Sequence, residues 1–247
     1  MTTRGLVVEN LTVGYRARAP ILTDVGVTAE RGEITAVIGA NGSGKSTLLH
    51  ALMGLVRPTA GRASLDGRPL AGLRRTKVGF CADDLPLPEL LTGAEYLHVM
   101  SRIRDVRVAP AVMTTLFDSV NMAGAEHRLI KEFSHGMKRK VQLLANVVHS
   151  PELLVLDEPF RGLDPESHAL VLQLLDSYVR SGRIVLLSTH DLGVAASLCR
   201  RAVEVERGCI RAVDLDARGA ARAANPTVDE TRRSRGFFAA LDAVEAS

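Results

Sequence analysis

Eight consecutive residues, Gly39-Ala40-Asn41-Gly42-Ser43-Gly44-Lys45-Ser46, fit the pattern GxxxxGK[ST], which is suited to holding phosphate. Its glycines let successive backbone N–H groups turn inward around phosphate oxygens, and a helix starting there adds the positive end of its dipole. Lys45 then reaches the β- and γ-phosphates, the Ser46 hydroxyl holds Mg²⁺, and the neighbouring Thr47 completes the candidate phosphate-binding stretch. A second group of residues follows the apolar run Leu153-Leu154-Val155-Leu156, which ends directly in Asp157 and Glu158. Asp157 is placed to hold the metal, and Glu158, facing the other side of the strand end, to polarise a water against a γ-phosphate.

Such chemistry needs its residues at one edge of a buried sheet, and the flanking sequence supplies the strands. Ile34 to Ile38, Leu153 to Leu156 and Ile184 to Leu187 are short and apolar throughout, as strands covered on both faces are. Ligands in doubly wound folds gather beyond the carboxyl ends of such strands. Asp157 is expected at the end of the strand beside the phosphate loop, and Ser188-Thr189-His190 at the end of the next. The run Ser46 to Leu55 reads as the helix after the loop, ended by Val56-Arg57-Pro58-Thr59.

Around this centre, Leu6 to Val13 and Ile21 to Val27 read as an antiparallel start, followed by a hairpin near Ala63 to Gly67 and a strand at Val78 to Cys81. From Leu91 to Phe133 the texture is helical: Thr92 and Glu95 form a capping box, and Pro110 opens a helix with Val112, Leu116 and Val120 on one face. Gly136 to Val148 carries Met137, Val141, Leu144, Ala145 and Val148 at helical spacing. Val203 to Val213 reads as a hairpin through Arg207-Gly208, and Phe237 to Val244 as a short helix in an Arg- and Ala-rich tail.

Composition limits the classes of function. The 247 residues are 46% hydrophobic and 24% charged with a net charge of +3, too balanced to predict nucleic-acid binding. With no Trp and 4% aromatic residues, the core must be aliphatic. Cys81, Cys199 and Cys209 form neither a disulfide framework nor a zinc pattern, which points to a reducing cytosol. No apolar run approaches the ~18 residues of a membrane span, and the start lacks signal-peptide character, so any membrane association is expected through a partner.

The ordered elements Gly39 to Ser46, Phe133-Ser134-His135-Gly136-Met137, Leu153 to Glu158, Gly162-Leu163-Asp164 and Ser188-Thr189-His190 resemble those of the ATP-binding subunit of ABC transporters, over roughly Leu6 to Val213. The resemblance implies an α/β P-loop NTPase fold: a central, mainly parallel sheet, an N-terminal antiparallel β subdomain and an inserted helical subdomain at about 91–150. It also implies an ATP-binding domain over 1–213 and a short C-terminal tail over 214–247.

On the same resemblance, ATP and Mg²⁺ are the cofactors. Tyr15 stacks on adenine, and Ser134 and Gly136 meet the γ-phosphate held by a second ATP-binding subunit. Asp164 signals across that dimer, Glu158 is the general base, and His190 touches the γ-phosphate. The partners implied are a second ATP-binding subunit, most simply an identical one, and a separate transmembrane permease that holds the chain on the cytoplasmic face of the membrane. No nucleic acid is expected. The Ser-x-Gly-Met form at Ser134 to Met137 resembles ABC-2-type exporters, which tilts the reading towards export.

Asp83 stands where the family has glutamine; it can ligate Mg²⁺, but as a shorter anion it repels the γ-phosphate unless the metal intervenes. Leu85, Leu87, Leu90 and Leu91 are candidates for a permease-facing groove, with core burial the alternative. A soluble ATPase of this class, or a nucleotide-sensing regulator that hydrolyses ATP poorly, is the alternative function.

Overall fold

The computed structural model describes residues 5–15, 19–83, 85–199, 201–215 and 236–246. Strands β1 (Gly5–Val13) and β2 (Leu22–Glu30) pair antiparallel. Leu22, Val25, Val27 and Ala29 face inward along β2, so the strand runs past Val27, where the expected strand ended, because burial alternates on to Ala29. Strand β3 (Ile34–Ile38) leads through the phosphate loop into helix α1 (Lys45–Met53). Gly54, at φ 75°, returns its N–H to Ala51 and His50 and stops α1 ahead of the expected Val56 to Thr59. Strands β4 (Ala60–Leu65) and β5 (Arg68–Pro69) form a hairpin through Asp66 and Gly67, both left-handed. Helix α2 (Arg74–Lys77) then runs into β6 (Val78–Cys81).

The helical stretch holds α3 (Gly93–Ile103), β7 (Val106–Arg107), α4 (Pro110–Ser119) and α5 (His135–Val147). Thr92 and Glu95 form the expected capping box, and Ser134 caps α5 by accepting the Met137 N–H. Leu97, Leu116, Phe117, Ile130, Phe133 and Leu144 pack together beneath these helices. There follow β8 (Leu153–Asp157), α6 (Pro165–Arg180), β9 (Ile184–Thr189), α7 (Leu192–Leu198) and the hairpin β10 (Arg201–Glu206) with β11 (Cys209–Asp214). A final helix, α8 (236–242), precedes β12 (Glu245–Ala246).

Six strands form the central sheet in the order β11-β10-β3-β9-β8-β6. All neighbours are parallel except the β10–β11 pair. Each central strand feeds two cores by its alternation: Ile34, Ala36, Leu154, Leu156, Val185 and Leu187 face the helices, while Val37, Leu153, Val155, Ile184 and Leu186 face α1 and the antiparallel sheet. One difference from expectation matters for the site: β9 lies between β3 and β8, so Asp157 is one strand further from the phosphate loop than the sequence suggests.

Of the stretch expected as a tail, 214–247, the residues 236–246 lie against the body of the protein. Phe237, Ala240 and Leu241 of α8 are buried in the helix-side core, and β12 pairs with β7. Arg183 lies over the rings of Tyr178 and Phe238. Among the described residues no helix is long and apolar enough to cross a membrane.

Candidate functional site

The loop after β3 is held open by glycine. Gly39 has φ 148°, and a Cβ there would come within 2.6 Å of the Val205 carbonyl. Gly44, at φ 113°, is the N-cap of α1 and has no side chain with which to cap it. The first-turn N–H groups of α1 therefore lack a side-chain acceptor and face the cleft as an anion site. Lys45 is buried, and its amine donates to the Gly39 and Ala40 carbonyls at 2.8 and 3.2 Å. Ser43 Oγ is buried with no hydrogen-bond partner among the described residues.

Asn41, Gly42, Gly44, Lys45, Ser46 and Thr47 line a cleft of about 450 Å³, and Asp83, Glu158 and His190 enter it from the other strand ends. Ser43 lines a neighbouring hollow that shares Asn41 and Gly42 with the cleft, beside Glu206 and Gly208. Asp157 is 2% exposed and accepts a hydrogen bond from Ser188, its partner across the strands. Glu158 has φ 46°, and this left-handed turn brings its carboxylate back across the width of β9 to lie 3.7 Å from the Lys45 amine. His190 Nδ1 is 3.1 Å from both Glu158 oxygens. Three strand ends thus converge on one anion-sized opening.

Asp83 reaches the cleft already paired with Arg161 through its carboxylate, so the repulsion expected from an aspartate there is offset within the chain. Tyr15 is 50% exposed and lies outside the residues that line the cleft, whose apolar wall beside the loop includes Ile21.

Ser134, Gly136 and Asp164 form a separate group outside the cleft. A Cβ on Gly136 would sit 3.3 Å from Asp164 Oδ2, so the start of α5 and the start of α6 touch. Asp164 caps α6 by accepting the Ser167 N–H at 2.8 Å, and this bond holds its carboxyl below the ordinary aspartate range. Burial holds the amine of nearby Lys140 down, against the carboxylates of Asp164 and Glu166.

Sequence reasoning missed Arg139, Ser188, Arg161 and Ile21. Arg139 is buried, and its guanidinium donates to the carbonyls of Ala82, Asp83, Asp157 and Glu158. A signal was present: Arg139, Gln142 and Asn146 form a polar stripe at helical spacing, yet all three are buried. Ser188 is the first hydroxyl after the apolar run of β9, and it lies opposite Asp157.

The donors fit the implied ligands. An uncapped helix start, an unpartnered buried hydroxyl and a lysine amine shared between two carbonyls and the Glu158 carboxylate suit a polyphosphate. The Ser46 hydroxyl and the Asp157 and Asp83 carboxylates are hard oxygen donors of the kind Mg²⁺ takes.

Residues 22–161, more than half of the chain, match the family described as ABC transporter. The chain is 32% identical over 187 residues to a lantibiotic transport ATP-binding protein of Streptococcus pyogenes, covering 76% of this chain and 80% of that one. It is 32% identical over 219 residues to a daunorubicin resistance ATP-binding protein of Streptomyces coeruleorubidus, covering 87% and 69%. A solved structure of an ATP-binding subunit of an ABC transporter superposes with a TM-score of 0.73 at 30% identity, covering 96% of this chain and 98% of that one. The chain belongs to the ABC transporter family and is one of its ATP-binding proteins.

Proposed function

We propose that this chain hydrolyses ATP with Mg²⁺, works as a pair of ATP-binding subunits, and drives export through a separate membrane permease on whose cytoplasmic side it sits. The observation that carries the reading is the meeting of Lys45, Glu158 and His190 at the uncapped start of α1. On nucleotide arrival the Lys45 amine exchanges the Gly39 and Ala40 carbonyls for phosphate oxygens, and the α1 N–H groups take the rest of the charge. Glu158 orients a water for in-line attack and accepts its proton, while His190 fixes the Glu158 carboxylate. Ser46, Asp157 and Asp83 would hold Mg²⁺, which when bound neutralises charge on the phosphates.

Pairing is supported by the position of Ser134, Gly136 and Asp164. They lie outside the cleft of their own chain, so phosphate can reach the start of α5 only from a second subunit. The direction of transport is supported by a relative from Burkholderia lata named for Nod factor export, 34% identical over 193 residues. Leu85 and Leu90 are exposed and available to a permease, whereas Leu87 and Leu91 pack partly into the core.

The test is Glu158→Gln, tagged and purified from its native cells in mild detergent with ATP and Mg²⁺. The proposal expects turnover to fall by about 10²-fold or more and one polytopic membrane protein to be recovered at comparable amount. Unchanged turnover, or recovery of ribosomes or nucleic acid in place of a membrane protein, would refute it.

A further inference from the structure

Helix α5 carries a buried polar stripe that the proposed mechanism does not use. Arg139 is 6% exposed, and its guanidinium is divided between two segments far apart in the chain. Nη1 donates to the Ala82 carbonyl at 2.8 Å and to that of Asp83 at 3.2 Å, in the loop that follows β6. Nη2 donates to the Asp157 carbonyl at 2.5 Å and to that of Glu158 at 2.9 Å, where β8 ends. One turn further along, Gln142 Nε2 donates to the Leu85 carbonyl at 2.9 Å, and Asn146 Oδ1 accepts the Phe80 N–H at 3.3 Å. Strand β6 is an edge strand, so α5 closes the sheet here and fixes the loop that leaves it.

Glu158 needs such a hold. Its φ of 46° is a conformation that non-glycine residues adopt at a cost, and it persists only where the surroundings impose it. The surroundings here are Ser188 on the Glu158 N–H and Arg139 on the Glu158 carbonyl. The same planar group holds loop residues 82 and 83, so the loop and the Glu158 backbone cannot move independently while the guanidinium bridges them. A lysine at this site would be a point donor and could not span both segments.

We infer that Arg139 is a positioning residue: by bridging the carbonyls of Ala82 and Asp83 to those of Asp157 and Glu158, it holds the left-handed Glu158 backbone from which the carboxylate enters the cleft. The inference rests on the proposed role of Glu158 as the base.

The experiment compares Arg139→Lys with the unmodified full-length protein and with Glu158→Gln. It reads kcat and KM for ATP, binding of a fluorescent ATP analogue, and amide hydrogen exchange in peptides covering 82–85 and 157–160. The expected result is a kcat lower by about tenfold or more, analogue affinity within about twofold, and faster exchange in both peptides together. A kcat within about threefold of the unmodified protein, or unchanged exchange in either peptide, overturns the inference. If Arg139→Lys does not fold, Gln142→Ala loosens the loop side alone; a several-fold fall in kcat at unchanged KM supports the inference and an unchanged kcat overturns it. Full turnover by Glu158→Gln removes the proposed function itself, whereas an inactive Glu158→Gln beside a fully active Arg139→Lys removes only the inference.

Discussion

Ser188→Ala removes a single oxygen with two partners. The Ser188 hydroxyl donates to the Asp157 carboxylate and accepts the Glu158 N–H at 3.0 Å, and the residue has no exposed surface. Alanine leaves a buried carboxylate oxygen short of a donor and a partly buried N–H short of an acceptor, which together cost about 3 kcal/mol. At roughly 2–4 °C per kcal/mol for a chain of this size, the melting temperature falls by about 6–12 °C. Turnover responds separately. Without its acceptor the Glu158 N–H no longer favours the left-handed backbone, and each 1.4 kcal/mol of lost preference lowers kcat by about tenfold. Binding of ATP changes little, because the phosphate contacts come from the loop before α1. Ser188→Thr restores the hydroxyl but adds a methyl group where there is no space, so it recovers turnover while remaining less stable. Thermal melts and steady-state ATPase assays on the three proteins decide the matter. If Ser188→Ala melts within about 2 °C of the unmodified protein, or melts early with full turnover, the hydroxyl does not anchor the Glu158 backbone and the reasoning fails.

Three further outcomes are expected. Burial, reinforced by the Arg104 guanidinium, pushes the His149 imidazole down to about 4; the unfolded imidazole titrates near 6.5, so between these values the unfolded state binds more protons. Stability therefore falls by roughly 3 kcal/mol as pH drops from about 7 to about 4, and urea unfolding of His149→Gln should lack that slope. Arg161→Ala exposes the uncompensated Asp83 carboxylate to the phosphates and should weaken binding of metal-free ATP about fivefold at low salt, with Asp83→Asn restoring it; equal affinity in titrations of all three proteins would make the pair incidental. Phe237→Ala empties a buried site and should cost about 3–5 kcal/mol, with hydrogen exchange in 236–242 becoming fast; slow exchange there would show that α8 is held by other contacts.

The parts legible in sequence were those with an unambiguous local cause. The apolar runs at Ile34 to Ile38, Leu153 to Leu156 and Ile184 to Leu187 are short and end in glycine or polar residues, as strands buried on both faces do, and the glycine pattern after the first fits a phosphate loop. Strand order was not legible, because it is set by crossovers and not by any run of residues; hence Asp157 lies one strand further from the loop than expected. Arg139 was hidden by a general rule, since an arginine beside lysines on a helix normally faces water, and only the carbonyls of two distant segments make its burial tolerable.

The two groups of site residues are joined by one helix. The N-terminus of α5, capped by Ser134, belongs to the group outside the cleft, while Arg139 in the next turn holds the Glu158 carbonyl inside it. A force on the first turn of α5 is therefore felt one helical turn later by the chain's own base, over about 5 Å of rigid backbone. Gly136→Ala tests that connection. The new Cβ would lie 3.3 Å from Asp164 Oδ2 and 3.5 Å from Ser167 Oγ, close enough that α5 or the Asp164 cap must shift by a few tenths of an ångström. Alanine also favours the helix over glycine by up to about 1 kcal/mol, so the variant should fold at least as well as the original. Turnover is expected to fall by about tenfold while the isolated subunit binds ATP with unchanged affinity. If turnover and binding both stay at the original level, the first turn of α5 has no mechanical link to Glu158, and the two groups act as independent sites.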